Sequence, residues 1–188
     1  MKTLILAFLL FSISLFAQSN SDSIVSDKTK DLKAKGVKDF FYFETYCNGN
    51  FKLIKEGEVS CDGESEIYVF SNEANKSFLQ KVNSCENKKI EIPDNILNYY
   101  INHFDEIRNE VVRNYQIDKE STKFASHSCF KKFAFYFNST INITKDFDEL
   151  DLTTETDEPN INFKSNNSLK LVKLTRLCEK VIRENYIN

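Results

Sequence analysis

Residues 40–47, Phe-Phe-Tyr-Phe-Glu-Thr-Tyr-Cys, run straight into Asn48-Gly49. Aromatic and β-branched side chains suit a pleated backbone, and Asn-Gly suits the two left-handed positions of a tight hairpin turn. The stretch therefore predicts a strand that enters a hairpin, with NFKLIKE (50–56) returning and Glu56-Gly57-Glu58 as the next turn. After the Asp62-Gly63 break, SEIYVF (65–70) reads as a third strand and SNEANKS (71–77) as a loop. SFLQKV (77–82) and KKIEI (88–92) follow as further strands around the turn-like NSCEN (83–87). Strands joined this way make an antiparallel hairpin and meander sheet.

Outward from that sheet, Pro93-Asp94 opens a helix. Ile96, Leu97, Tyr100, Ile101, Phe104, Ile107, Val111 and Tyr115 recur at three- and four-residue steps, which predicts one long helix with a single buried stripe. TKFASHSCFKKFAFYFNSTINI (122–143) returns to strand character, with Phe133, Phe135 and Phe137 alternating. The last piece, from about Leu169, predicts a C-terminal helix, although Leu169, Leu171 and Leu174 fit a strand over 168–174 as well. The order strands, helix, strands, helix defines an α+β class: an antiparallel sheet with one long central helix and a C-terminal helix packed on one side. Residues 18–38 are polar and read as a flexible lead-in or a short surface helix ending at Gly36. Residues 39–188 then form a single α+β domain.

The first seventeen residues carry a different signal. Lys2 supplies a positive start, Leu4–Phe16 an apolar run of thirteen residues, and Ala17 the small residue before a cut at Gln18. The run is short for a hydrocarbon core that takes about 20 residues to cross. Residues 1–17 thus predict a cleaved signal peptide, and an exported product in a periplasm or outside the cell, with no membrane association after removal. The residue usage, rich in Asn, Lys, Ile and Phe and poor in Gly, resembles that of exported bacterial proteins. The net charge is −3, and losing Lys2 makes it one unit more negative, so no basic excess is present to hold nucleic acid.

Five cysteines, at 47, 61, 85, 129 and 178, would sit in an oxidising compartment, where disulfides form. Cys178 falls on the stripe Leu171, Leu174, Cys178, Val181 and is expected to stay unbridged. The disulfide candidates are Cys47, Cys61, Cys85 and Cys129. Two successive hairpins would put Cys47 and Cys61 on the first and third strands of a meander, beyond the ~7 Å that a bridge spans between Cα atoms. The balance therefore tilts towards bridges that involve Cys85 and Cys129.

The candidate functional side chains are His103, His127, Asp146 and Asp148. His127 and Cys129, two apart on a strand, share a face; they suit a base with its nucleophile, or two ligands of a metal completed by His103 or Cys85. Asp146 and Asp148 begin a stretch with seven carboxylates between Asp146 and Glu158. They match the first two ligand positions of a calcium loop, and Leu150 and Asp151 fail the next two. Phosphate-binding glycine loops and the usual hydrolase, zinc-protease and thioredoxin patterns do not occur in the sequence, and no cofactor is implied. The pattern points to an exported non-catalytic protein of binding, inhibitor or immunity type, with another protein as partner. A secreted hydrolase using His127 or the acidic residues, or a carrier of apolar ligands, stands as the alternative. Intact-mass measurement on exported protein should give a chain that starts at Gln18.

Overall fold

Strand β1 (Phe40–Cys47) sends Phe41 and Phe43 to one face of a sheet and Phe40 and Tyr42 to the other, and none of the four is more than 3% exposed. Such a strand needs cover on both faces, and the computed structural model supplies it. Residues 20–49, 65–83, 88–138 and 140–186 are described. The expected signal with its cleavage residues Ala17 and Gln18, the return strand over 50–56, the turn at Glu56-Gly57-Glu58, and Cys61 and Cys85 lie outside the described residues.

β1 lies between β2 (Ser65–Glu73) and β5 (Cys129–Phe137), so Phe41 faces Phe70 on one side and Phe135 on the other. β3 (Lys76–Lys81) and β4 (Lys89–Ile92) continue the sheet beyond β2, and β6 (Ile141–Asp148) continues it beyond β5. The six strands are all antiparallel, in the order β4-β3-β2-β1-β5-β6. At the end of β1, Cys47 stands opposite Cys129 of β5. Between β2 and β3 the expected seven-residue loop shrinks to Ala74-Asn75, whose φ values of 50° and 64° are those of a two-residue hairpin turn.

One face of the sheet carries α2 (Asn95–Asn102), α3 (Phe104–Asn109), α4 (Phe163–Ser168) and α5 (Lys170–Tyr186). Ile96, Leu97, Tyr100, Phe104 and Ile107 meet Leu171, Leu174, Cys178 and Ile182 over Phe41, Phe43, Phe70, Phe133 and Phe135. The single long helix is corrected here to two short ones. His103 breaks it, and at Glu110 the backbone turns extended, at φ −71° and ψ 146°. Tertiary hydrogen bonds outweigh the helical period beyond that point. Asn166 brackets Arg113, accepting from its N–H at 3.0 Å and donating to its carbonyl at 2.7 Å, and the Tyr115 N–H donates to the Asp151 carboxylate at 2.6 Å. Residues 170–174 are helical, since Leu171 and Leu174 then share the buried face.

A helix also covers the second face, against the one-sided arrangement expected. Within the lead-in, α1 (Asn20–Ala34) packs Leu32 against Phe40, Tyr42, Ile67 and Val69, with Val37 just beyond the helix. Its end is a Schellman cap: Gly36, at φ +74°, lets the Val37 N–H reach the Leu32 carbonyl and its own N–H reach that of Lys33, each at 3.0 Å. Leu32 has no exposed surface, and burying such a side chain contributes roughly 1.5–3 kcal/mol. No helix among the described residues is long and apolar enough to cross a membrane.

Two charged groups lock the layers together. The Glu110 carboxylate accepts from the N–H groups of Lys170 and Leu171 at 2.9 and 2.8 Å, placing a negative charge at the start of α5 from sixty residues away. Lys131, 8% exposed in its side chain, sits between Glu149 at 2.6 Å and Glu179 at 2.8 Å. Burial lowers the pKa of that ammonium, but the two carboxylates outweigh burial and raise it overall. Glu110→Ala should lower stability by about 1–2 kcal/mol, read by denaturant unfolding, because it strips a capping acceptor and a favourable charge from one helix end.

Candidate functional site

The end of the sheet where β1 finishes and β5 begins gathers most of the chemistry. Asn48 donates its N–H to Ser128 at 2.9 Å, which makes the preceding pair, Cys47 and Cys129, a non-hydrogen-bonded pair. In antiparallel sheets those pairs bring Cα atoms closest. The two cysteines are joined in a disulfide with Cα atoms 4.0 Å apart, linking positions 82 residues apart in sequence. Cys178 is free and buried, and burial pushes its thiol well above the ordinary value.

On the face that points away from the large helical layer, β1 and β5 place their side chains in register. Tyr46 stacks on Phe130 with ring centroids 5.1 Å apart and planes 13° apart. One step along, Glu44 and Lys132 form an ion pair at 3.1 Å. β6 adds Asp148 opposite Phe130 and Asp146 opposite Lys132. Burial pushes the Tyr46 hydroxyl up, and the charge of Asp146 adds to it. The Asp148 carboxylate also accepts from the Leu150 N–H at 2.8 Å, capping a 3-10 turn over Glu149–Leu152. Two half-buried rings and an ion pair, held on neighbouring strands, set aromatic and charged groups side by side on this face.

The other side chains singled out in the sequence are scattered. His127 lies in the loop before β5; its ring packs on Gly49, where an added Cβ would come within 2.5 Å of the imidazole, and Ser126 Oγ lies 3.0 Å from its Nδ1. With Cys129 in the disulfide, the thiolate–imidazole pair does not exist in this form of the protein, and the metal site built on the same two side chains loses its sulfur. His103 sits in the helical layer, its Nδ1 2.6 Å from Glu106 and its ring against Tyr99. Among the described residues no three or more His, Cys, Asp and Glu side chains are grouped to hold a metal ion.

The structure also shows features that the sequence reading does not contain. Asp151, Asn160, Asn162 and Asn166, each buried, knit the extended chain after α3 to the segment before α4. Burial pushes the Asp151 carboxyl up, against the hydrogen bond from the Tyr115 N–H. Beside this network an open cleft is lined by Asn109, Val111, Arg113, Ser165, Asn166 and Leu169. Phe124 and Ile161 are exposed. No period-two alternation marks the Tyr46–Phe130 face, because FETYC (43–47) and CFKKF (129–133) each set two polar residues side by side between apolar ones.

The fold and this face define a disulfide-bonded α+β domain with a mixed aromatic and charged surface. No protein-family model, no curated protein and no solved structure matches the chain.

Cys129→Ser should cost about 2–4 kcal/mol in urea unfolding, since the bridge closes a long loop in the unfolded chain. His127→Ala, at an exposed loop position, should change stability by no more than about 0.5 kcal/mol. Equal effects of the two substitutions would contradict this assignment of roles.

Proposed function

We propose that the protein is exported and works as a non-catalytic binding protein of the inhibitor or immunity type, meeting another protein through the Tyr46–Phe130 face. The observation that carries this reading is the pairing of stacked aromatic rings with the Glu44–Lys132 ion pair on strands tied by the Cys47–Cys129 bridge. Binding energy at protein interfaces concentrates in aromatic side chains that pack on a preorganised surface, with charged groups at the border setting partner choice. A disulfide between neighbouring strands supplies such preorganisation, and its persistence suits an oxidising compartment.

The test starts from the exporting cell. A photo-crosslinking amino acid placed at position 132 should trap one protein partner, identified by mass spectrometry and then purified. Calorimetry should show that Tyr46→Ala and Phe130→Ala each weaken that complex by about tenfold or more, with His127→Ala indistinguishable from the parent. Unchanged affinity in both aromatic variants would rule out this face. Partner turnover that disappears in His127→Ala would replace the reading with an enzymatic one.

A further inference from the structure

The two edges of the sheet are built differently. At one end β4 has four residues, and ion pairs close its charges onto β2 and β3: Lys89 with Glu73 at 2.5 Å and Glu91 with Lys76 at 2.8 Å. At the other end β6 runs for eight residues, INITKDFD, in one-to-one register with β5 and with neither proline nor bulge. The ladder fixes which way its backbone groups point. Because Asn48 bonds Ser128, the even-numbered residues of β5 bond β1, and Lys131, Phe133 and Phe135 bond β6. Their partners there are Phe147, Lys145 and Ile143. Asn142, Thr144 and Asp146 therefore turn their N–H and carbonyl groups to the outer side of the sheet, and all three are exposed. The side chains of this row lie on the Tyr46–Phe130 face, where Asp148 stands opposite Phe130 and Asp146 opposite Lys132. On that face the described residues of β1, β5 and β6 carry three carboxylates, Glu44, Asp146 and Asp148, and one ammonium, Lys132. On the other face Ile143 is half-buried, and Lys145 donates to the Glu110 carbonyl at 2.8 Å.

We propose that the outer edge of β6 takes a basic, extended segment of a partner protein as an added strand of the sheet. The inference rests on the binding reading above and deepens it, since a strand laid there borders the Tyr46–Phe130 face. The main-chain groups of Asn142, Thr144 and Asp146 supply the pairing. Residues directly opposite one another share a face, so Lys or Arg at alternate positions of the added strand falls beside Asp146 and Asp148, and aliphatic side chains fall on the side of Ile143. The same charges disfavour a second copy of this chain. Antiparallel self-pairing would add two more carboxylates to the acidic face and a second Lys145 to the other, so like charges oppose it on both faces. An edge of this length, free of proline and bulge, is a template for pairing, and its charge selects what pairs.

Hydrogen exchange read by magnetic resonance on the full chain tests the edge. In the free protein the amides of Asn142, Thr144 and Asp146 should exchange about 100-fold or more faster than those of Ile143, Lys145 and Phe147. A short synthetic peptide alternating Lys and Val should bind saturably, with a Kd of about 1 mM or tighter, and slow the Thr144 and Asp146 amides about tenfold. The same peptide methylated on its lysine backbone nitrogens keeps its charge, loses the pairing and should not bind. Thr144→Pro removes an outward N–H where an edge strand tolerates proline. It should abolish peptide binding and leave the Ile143, Lys145 and Phe147 amides protected. Asp146→Lys should weaken the peptide about threefold or more. The proposal fails if the two sets of β6 amides are equally protected in the free protein. It fails equally if the peptide does not bind, or if the methylated peptide binds as well. Should Thr144→Pro lose the inward protection too, the methylated peptide draws the same distinction on the unaltered chain. A partner crosslinked at position 132 separates this inference from the reading it rests on. Affinity lost in Tyr46→Ala but kept in a folded Thr144→Pro overturns the added strand and leaves the face, and the reverse pattern overturns the face and leaves the strand.

Discussion

Strand β1 is bonded along both edges and covered on both faces. Its Phe40, Phe41, Tyr42 and Phe43 are the residues around which everything else is arranged. A strand with one open face needs a single apolar layer against it. A strand with none needs two layers, and this chain builds them unequally. The larger layer is a bundle of short helices that closes over Phe41 and Phe43, with aromatic rings in contact from Phe133 through Phe135 to Tyr100 and Phe104. The smaller is a single amphipathic helix at Phe40 and Tyr42. Most of the buried core therefore lies on one side of the sheet.

Polar groups decide how the larger layer is held. Short helices leave many unpaired N–H and carbonyl groups at their ends, and each buried one is costly unless satisfied. Glu110 answers this at the start of α5, and Asn166 and Asp151 answer it along the extended segment that follows α3. Lys131 joins the sheet to Glu149 and Glu179 in the same way, its charge made tolerable by two carboxylates. Removing both carboxylates would leave the buried Lys131 ammonium unmatched, whereas Glu149 and Glu179 reach solvent.

Aromatic and β-branched composition carries most of the sheet. FFYFETYC, SEIYVF and FKKFAFYF declare their strands, and Gly36 declares the end of a helix. The period after Asp94 overreaches for a physical reason: Tyr115 is buried as the pattern demands, but an extended chain brings it there and its hydroxyl bonds the Glu158 carbonyl at 2.5 Å. Periodicity reports burial, not the path by which a residue arrives. The Cys47–Cys129 bridge spans 82 residues and depends on the strand order, which no local pattern encodes. The same strand order brings Asp146 and Asp148 alongside Lys132 and Phe130, an arrangement read from sequence as a loop of acids. What the sequence leaves faint is that α1 packs on the sheet, because Val25 and Leu32, two turns apart, make that contact amid charged neighbours.

Cys178 lies at the centre of the stripe by which α5 grips the sheet, with no exposed surface and a thiol held in its protonated form by burial. An alkylating reagent needs both access and thiolate, and the folded molecule denies it each. Reaction at this sulfur therefore proceeds only as fast as α5 leaves the core, whatever happens at the opposite face. The residue is an internal clock for global opening, one that ticks without any label being added to the chain.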